Sequence, residues 1–327
     1  MMRDLQRSKK RSSDRLRNVA ATMLTGGVFA CMYYSFDSAI ADDPLATTRL
    51  SKLEVQSIIE TPNRSDMTVL ETQKVPNPHD QLAEPVEAAP VNPDLAALQQ
   101  TVDILQKGVA RLEHVSKYSF VFNRQERIDG ELRDEQQIAV KLRHAPFSVY
   151  MKWMTGDKGR ELLYTDNENE GRMLVKLGGL KGRFVPTLKL DPHGDRAKAE
   201  SQHPVTQAGL KTMANELLKN RLQDMELANV PKCVIEEGHT FNDRPCLKVY
   251  LEYDSQESSP LFRKTITLID KELSLPVYSR TYTWPNENMV DIEQESLFSC
   301  YQFSDIQFET ELADATWNTE NPDYRFR

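Results

Sequence analysis

The stretch HAPFSVYMKWMTGDKGRELLY, residues 144–164, reads as two β-strands joined by a tight turn at Gly156-Asp157. Side chains alternate across a strand. Phe147, Val149, Met151 and Trp153 therefore share one face, and Ser148, Tyr150, Lys152 and Met154 the other. A half-exposed strand shows one apolar face and one plainly polar face. Here the second face sets Tyr150 and Met154 beside a cation, and what that face looks at decides how the sheet is covered.

Strand signals continue on both sides. YSFVFNRQERIDGELRDEQQIAVKLR, from Tyr118, reads as a hairpin: Tyr118, Phe120 and Phe122 alternate, Asp129-Gly130 turns, and Ile138, Val140 and Leu142 return. GRMLVKLGGLKGRFVPTLKL adds two strands, broken by Gly178-Gly179 and Gly182. KCVIEEGHTF, PCLKVYLEYD, KTITLIDKELSLPVYSRTYTW and SLFSCYQFSDIQFET close the chain with three or four more. Two helices frame these strands. Asp94 is placed to cap a helix whose Leu95, Leu98, Val102, Leu105, Val109 and Leu112 fall on one stripe. HPVTQAGLKTMANELLKNRLQDME predicts a second, with Thr206 as cap and Leu210, Met213, Leu217, Leu218 and Leu222 inward. The order helix, strands, helix, strands predicts an α+β fold: one strongly curved antiparallel sheet, an open half-barrel of about 8–11 strands, on two helices. A domain over residues 94–327 is a size that one core supports.

Upstream the composition changes. Arg3, Arg7, Lys9, Lys10, Arg11, Arg15 and Arg17 precede an apolar run from Val19 to Phe36, and Ala39-Ile40-Ala41 offers a small-x-small cleavage pattern. Residues 1–41 read as a signal peptide, or as a membrane anchor if uncut, because the run is near the length that spans a bilayer. In both readings the rest of the chain is exported, periplasmic or otherwise extracytoplasmic. Phe29 fits a lipoprotein box at Cys31 poorly. Residues 42–93 hold seven of the 17 prolines and neither an aromatic residue nor a glycine. Such a segment cannot bury enough apolar surface to offset chain entropy, so it reads as a disordered, mildly acidic tether.

Beyond residue 41 there are 34 basic and 46 acidic residues, a net charge of −12. No basic patch stands out for nucleic acid, so that partner class is set aside. Cys233, Cys246 and Cys300 are odd in number and cannot all pair within one chain. A turn at Asn242-Asp243 would set Cys233 opposite the region of residue 252, out of reach of Cys246, so buried free thiols are expected. No C-x-x-C exists and the six histidines are scattered, so no zinc or other cofactor is expected.

RQERIDGEL, PFSVYMKW, GRELLYTDNENEGRMLV, LDPHG, HPVTQAGL and YQFSDIQFETEL occur in the order of motifs in a bacterial family, domain of unknown function 1571. The resemblance covers about residues 98–326; the motifs are specific together and weak singly. It implies a fold distantly similar to the periplasmic lipoprotein carriers, whose curved sheet wraps helices and offers a concave apolar surface for an acyl chain. It implies no activity, and His193 in DPHGD gains no metal role from it. On such a sheet one face meets the helices, and Tyr150 and Met154 would line a second, semi-enclosed surface.

Arg124, Glu126 and Arg127, with Lys152, Arg160, Glu161 and Arg172 on later strands, form the densest charge cluster. Cross-strand ion pairing on a solvated face explains it plainly. The functional reading is a polar rim that selects an anionic head group, since arginine forks suit carboxylate or phosphate. The candidate ligand-binding set is Arg124, Glu126, Tyr150, Lys152, Arg160, Glu161 and Tyr164. Glu126 and Glu161 facing each other across a cleft would instead suit a hydrolase. Asp191, His193 and Asp195 alternate on a loop that reads as a solvated turn, and His203 opens the second helix. No P-loop, G-x-S-x-G, H-E-x-x-H or dinucleotide fingerprint occurs. The expectation is therefore a non-enzymatic envelope protein holding a lipid or other amphiphile. An envelope scaffold that binds a protein partner is the second reading and an unrecognised hydrolase the third.

Overall fold

The computed structural model describes residues 92–308 and 311–326. The expected signal or anchor segment, residues 1–41, and all but the last two residues of the expected tether, 42–93, lie outside the described residues. None of the described helices is long and apolar enough to cross a membrane.

Helix α1 (Pro93–Leu112) begins at Asn92, not Asp94. The Asn92 side chain accepts from the backbone N–H groups of Asp94 at 2.9 Å and Leu95 at 3.4 Å. Asp94 sits inside the first turn and accepts from the Cys233 N–H at 2.9 Å, tying the helix to the strand that starts there. Leu98, Val102, Leu105 and Leu112 are buried as their spacing demands, while Leu95 is partly out at 36% exposure.

The strands follow as β1 (Lys117–Ile128), β2 (Glu131–Leu132), β3 (Gln136–Arg143), β4 (Ser148–Trp153), β5 (Glu161–Thr165), β6 (Met173–Lys176), β7 (Leu188–Leu190), β8 (Lys232–Phe241), β9 (Arg244–Glu252), β10 (Phe262–Asp270), β11 (Leu275–Thr283) and β12 (Leu297–Gln307). They form one open antiparallel sheet in the order β7-β6-β5-β4-β3-β1-β12-β11-β10-β9-β8, with β2 a spur on β1. The count is 12, one above the expected range, because of that two-residue spur. Five strands close the chain instead of three or four, since KTITLIDKELSLPVYSRTYTW is itself the hairpin β10–β11.

Helix α2 (Leu210–Met225) departs from its expected start. Thr206 lies in a preceding 3-10 turn (Val205–Gln207), and the cap position is Gly209 at φ 106°. The Leu210 N–H is satisfied across the fold by the Tyr118 hydroxyl at 2.9 Å. A Cβ on Gly209 would lie 2.6 Å from both that hydroxyl and Leu142 Cδ1, so glycine is required by space as well as by φ. The buried stripe also ends early: Leu222 is 44% exposed, while Arg221 and Asp224 are buried and paired at 2.8 Å. Asp224 accepts from the Tyr253 hydroxyl at 2.7 Å, so a polar network takes the place of an apolar last turn.

Eleven strands laid flat would span about 48 Å, whereas two helices side by side cover about 20 Å. Yet Met173 and Val175 of β6 and Leu275 of β11 share one buried cluster with Leu112 of α1 and Leu210 and Ala214 of α2. A second cluster joins Leu98 and Leu105 to Cys233, Val249, Leu251 and Ile269. The sheet curves around the helices to reach both. Cys233, Cys246 and Cys300 are free and buried, as expected. Register sets Cys233 beside Leu251 and Cys246 beside His239. Burial pushes the Cys233 thiol up to about 11 and raises Cys246, so neither offers a thiolate near neutrality.

Candidate functional site

Alternation assigns Tyr118, Phe120, Val149, Trp153, Leu162 and Tyr164 to the helix-bearing face, where all are buried. Residues 191–209, between β7 and α2, run over this face as a strap. Beneath the strap, Arg124 donates to Gln136 Oε1 at 3.0 and 3.1 Å, to Ser201 Oγ at 2.7 Å and to the Glu200 carbonyl at 3.3 Å. It also pairs with Glu126 at 3.5 Å. Glu126 accepts from the Tyr301 hydroxyl at 2.7 Å and the Gln202 N–H at 3.4 Å. Burial first, then the adjacent Glu126 carboxylate, pushes the Tyr301 phenol well above its usual range. Arg160 lies 4.7 Å from the Trp153 ring and pairs with Glu200 at 2.5 Å. These charges are spent within the protein: the network latches the strap onto the sheet. Arg160, a candidate for a polar rim open to a ligand, is only 11% exposed.

The opposite face answers the question raised by Tyr150. It is covered by the C-terminal segment, residues 311–326. Tyr324 stacks on Tyr150 with ring centroids 4.0 Å apart and planes 9° from parallel, and Phe326 meets Tyr150 edge-on at 6.5 Å. Leu163 completes this small cluster. Glu161 is fully buried, and accepts from the Arg325 N–H at 2.8 Å and from Arg325 Nε at 3.1 Å. Burial first, then the Glu161 charge, raises the Tyr150 phenol. Met154, expected on the same covered surface, is instead 44% exposed, because it lies past the end of β4.

Beside the tail is a half-open groove of about 350 Å³. Val121, Ala139, Tyr150 and Tyr324 give it apolar walls, and Lys141, Lys152, Asp305 and Asp323 stand around it. Lys141 Nζ lies 5.7 Å from the Tyr150 ring.

The seven candidate residues therefore do not share one surface. Arg124, Glu126 and Arg160 meet under the strap, Tyr150 and Lys152 line the groove, and Glu161 anchors the tail. Tyr164 is on the helix-bearing face, its hydroxyl on Asp166 at 2.9 Å. Glu126 and Glu161 project to opposite faces, so they cannot flank one scissile bond. In the loop at Asp191, that carboxylate turns back to accept the His193 N–H at 2.9 Å. Groups of three or more His, Cys, Asp or Glu placed to hold a metal do not occur among the described residues. Sequence reasoning missed the tail and the strap. The signal for the first was DYRFR at the C-terminus, alternating aromatic and basic residues with no assigned partner.

The family model described as protein of unknown function DUF1571 matches residues 115–326. The chain belongs to the DUF1571 family. Among curated proteins no match is found. Among solved structures, this DUF1571 protein is similar to the lipoprotein LppX of Mycobacterium tuberculosis, at 10% identity and TM-score 0.38, over 66% of this chain and 99% of that one. A putative outer membrane lipoprotein-sorting protein domain from Vibrio parahaemolyticus matches at 13% identity and TM-score 0.31, over 68% and 97%. A DUF1329 family protein from Desulfovibrio piger matches at 9% identity and TM-score 0.33, over 68% and 98%. Likenesses this distant say nothing of ligand or activity.

Proposed function

We propose that this DUF1571 protein is an exported, non-enzymatic binding protein of the cell envelope that holds a single-chain anionic amphiphile. The observation that carries the reading is the groove on the helix-free face. Its volume falls at the small end of ligand sites, its walls are largely apolar, and two lysines stand at its rim. The helix-bearing face is the poorer candidate, because α1, α2 and the strap already occupy it. Lys141 and Lys152 would meet the head group as mobile point charges, with Asp305 and Asp323 disfavouring a bulky dianion. The family resemblance and the export segment support an envelope setting.

Titration with a fluorescent fatty acid and its methyl ester tests this. Wild type binds both saturably. Ala139→Trp fills the groove floor and abolishes both. Lys152→Glu weakens the acid about ten- to a hundredfold, the range of one charge-assisted contact, and spares the ester. Unsaturable binding by wild type, or undiminished binding by Ala139→Trp, refutes the reading and leaves the protein-binding scaffold as the better account.

A further inference from the structure

The antiparallel register sends the loops 154–160, 177–187 and 284–296 to one rim of the sheet. The start of α1 belongs to that rim as well, tied to the start of β8 through Asp94. Large apolar side chains are exposed along it, and two stand together on one loop: Leu180 at 73% and Phe184 at 85%. A helical turn (Lys181–Phe184) sets them four residues apart, on one side of that turn. Gly182 closes it, since a Cβ there would lie 2.0 Å from the Leu177 carbonyl oxygen. Leu177 and Leu188 pack into the core on either side, so the apolar tips are held outward by an anchored loop.

The charge around this loop runs against that of the chain. The loop 177–187 itself carries Lys181 and Arg183 and no acidic residue, and Asp157 on the neighbouring turn is paired with Arg160 at 3.8 Å. Arg183 is exposed, and so is Lys158 on the neighbouring turn, which joins the loop through the Gly179 N–H on its carbonyl at 3.2 Å. The other half of the rim is the reverse: the loop 284–296 holds four acidic residues and no basic one, around Val290 at 95% exposure. Apolar tips inside a basic surround match the interface of an anionic bilayer, where tails take the tips and head groups meet the cations.

We infer that the loop between β6 and β7 docks the domain onto an anionic membrane surface, by insertion of Leu180 and Phe184 with Arg183 and Lys158 on the head groups. The acidic half of the rim is held off, so the domain lies on its β4–β7 corner. This contact is separate from the N-terminal run and does not depend on the groove being a ligand site.

Every described strand, helix and core cluster draws on residues 92–326, so a chain beginning at Asp42 keeps them all while lacking the apolar run. This form should co-sediment with phosphatidylcholine vesicles that contain phosphatidylglycerol, weakly with phosphatidylcholine alone, and less as salt rises. Leu180→Ser with Phe184→Ser lowers the partition coefficient at least about tenfold, and Arg183→Glu about fivefold or more. Val290→Ser binds as wild type does. As a reading independent of loss by misfolding, the indole emission added by Phe184→Trp shifts to the blue on anionic vesicles only. Equal binding to both vesicle types, no binding, an unaffected double variant, or an unshifted emission from Phe184→Trp each overturns the inference.

Discussion

Replacing Tyr324 by alanine tests how the second face of the sheet is covered. Tyr324 is 5% exposed, stacks on Tyr150 at 4.0 Å, and donates its hydroxyl to the Thr316 carbonyl at 2.9 Å. Truncating a buried aromatic residue to alanine costs about 3 to 5 kcal/mol. Within that, the stacked pair accounts for about 0.5 to 1.5 kcal/mol and the hydroxyl for about 1 kcal/mol. The loss is capped by the free energy with which residues 311–326 dock, since a tail that leaves the sheet has nothing further to lose. Its other anchors are Phe326, the two bonds from Arg325 to Glu161, the buried Leu312 and Trp317, Arg143 lying 5.0 Å from the Trp317 ring, and Lys117 donating to the Leu312 carbonyl at 2.6 Å. A loss of about 3 kcal/mol, the low end of that range, is therefore expected from urea denaturation. Hydrogen exchange should show the Arg325 amide losing protection while β1 and β3 keep theirs. Tyr324→Phe keeps the stack and should lose only about 1 kcal/mol. A change below about 0.5 kcal/mol with the Arg325 amide still protected would refute the reasoning, because Tyr150 would then be covered by something other than this ring.

Two further perturbations probe the other face and the turn that closes β10–β11. Trp153→Ala should destabilise by about 3 to 5 kcal/mol, since Trp153 is 3% exposed, donates to Gln136 at 3.1 Å and carries Arg160 on its ring; a change below about 0.5 kcal/mol in the same urea assay would put Trp153 on the surface. Asp270 is buried against Arg244 and accepts the Glu272 and Leu273 N–H groups at 2.9 and 2.8 Å. Burial pushes its carboxyl up, but the hydrogen bonds from Arg244 and Leu273 outweigh that and hold it below the usual range. With the folded pKa lowered, the unfolded chain binds more protons in that window. The contribution is present above the ordinary aspartate pKa of about 4 and fades as pH falls through the folded value. Urea midpoints measured from about pH 3 to 5 should therefore fall more steeply for wild type than for Asp270→Asn, and parallel curves would show that this carboxylate is not responsible.

Where the sequence was informative, the reason was local periodicity. Alternation through Tyr118, Phe120 and Phe122 and back through Ile138, Val140 and Leu142 is a pairing that register confirms residue by residue. The helical stripe from Leu98 to Leu112 is likewise local. The cap falls at Asn92 and not at Asp94, because both carry oxygens that can cap and only the tertiary bond to Cys233 separates their roles. The start of α2 was illegible for a stronger reason: its first N–H is satisfied by Tyr118, 92 positions upstream. The latch and the tail fail in the same way. Arg124 meets Ser201, and Glu161 meets Arg325 at a separation of 164 residues. Charges clustered in sequence space could be read as one rim, but alternate positions on neighbouring strands sent them to opposite faces.

That division bears on where a ligand can enter. Opening the helix-bearing face means lifting α1, α2 or the strap from clusters that contain most of the buried apolar side chains, which approaches the cost of unfolding the domain. The end of the tail, residues 321–326, rests on the small cluster of Tyr150, Leu163 and Tyr324 and on the bonds to Glu161, while Leu312 and Trp317 hold its start. Segments with few buried contacts open at a fraction of the global free energy. An amphiphile in the groove would lie against Tyr324 itself, so loading and release need move only the tail. The face covered by the shorter, later segment is thus the one whose cover can be exchanged, and Glu161, fully buried on Arg325, ties that cover to the sheet from beneath.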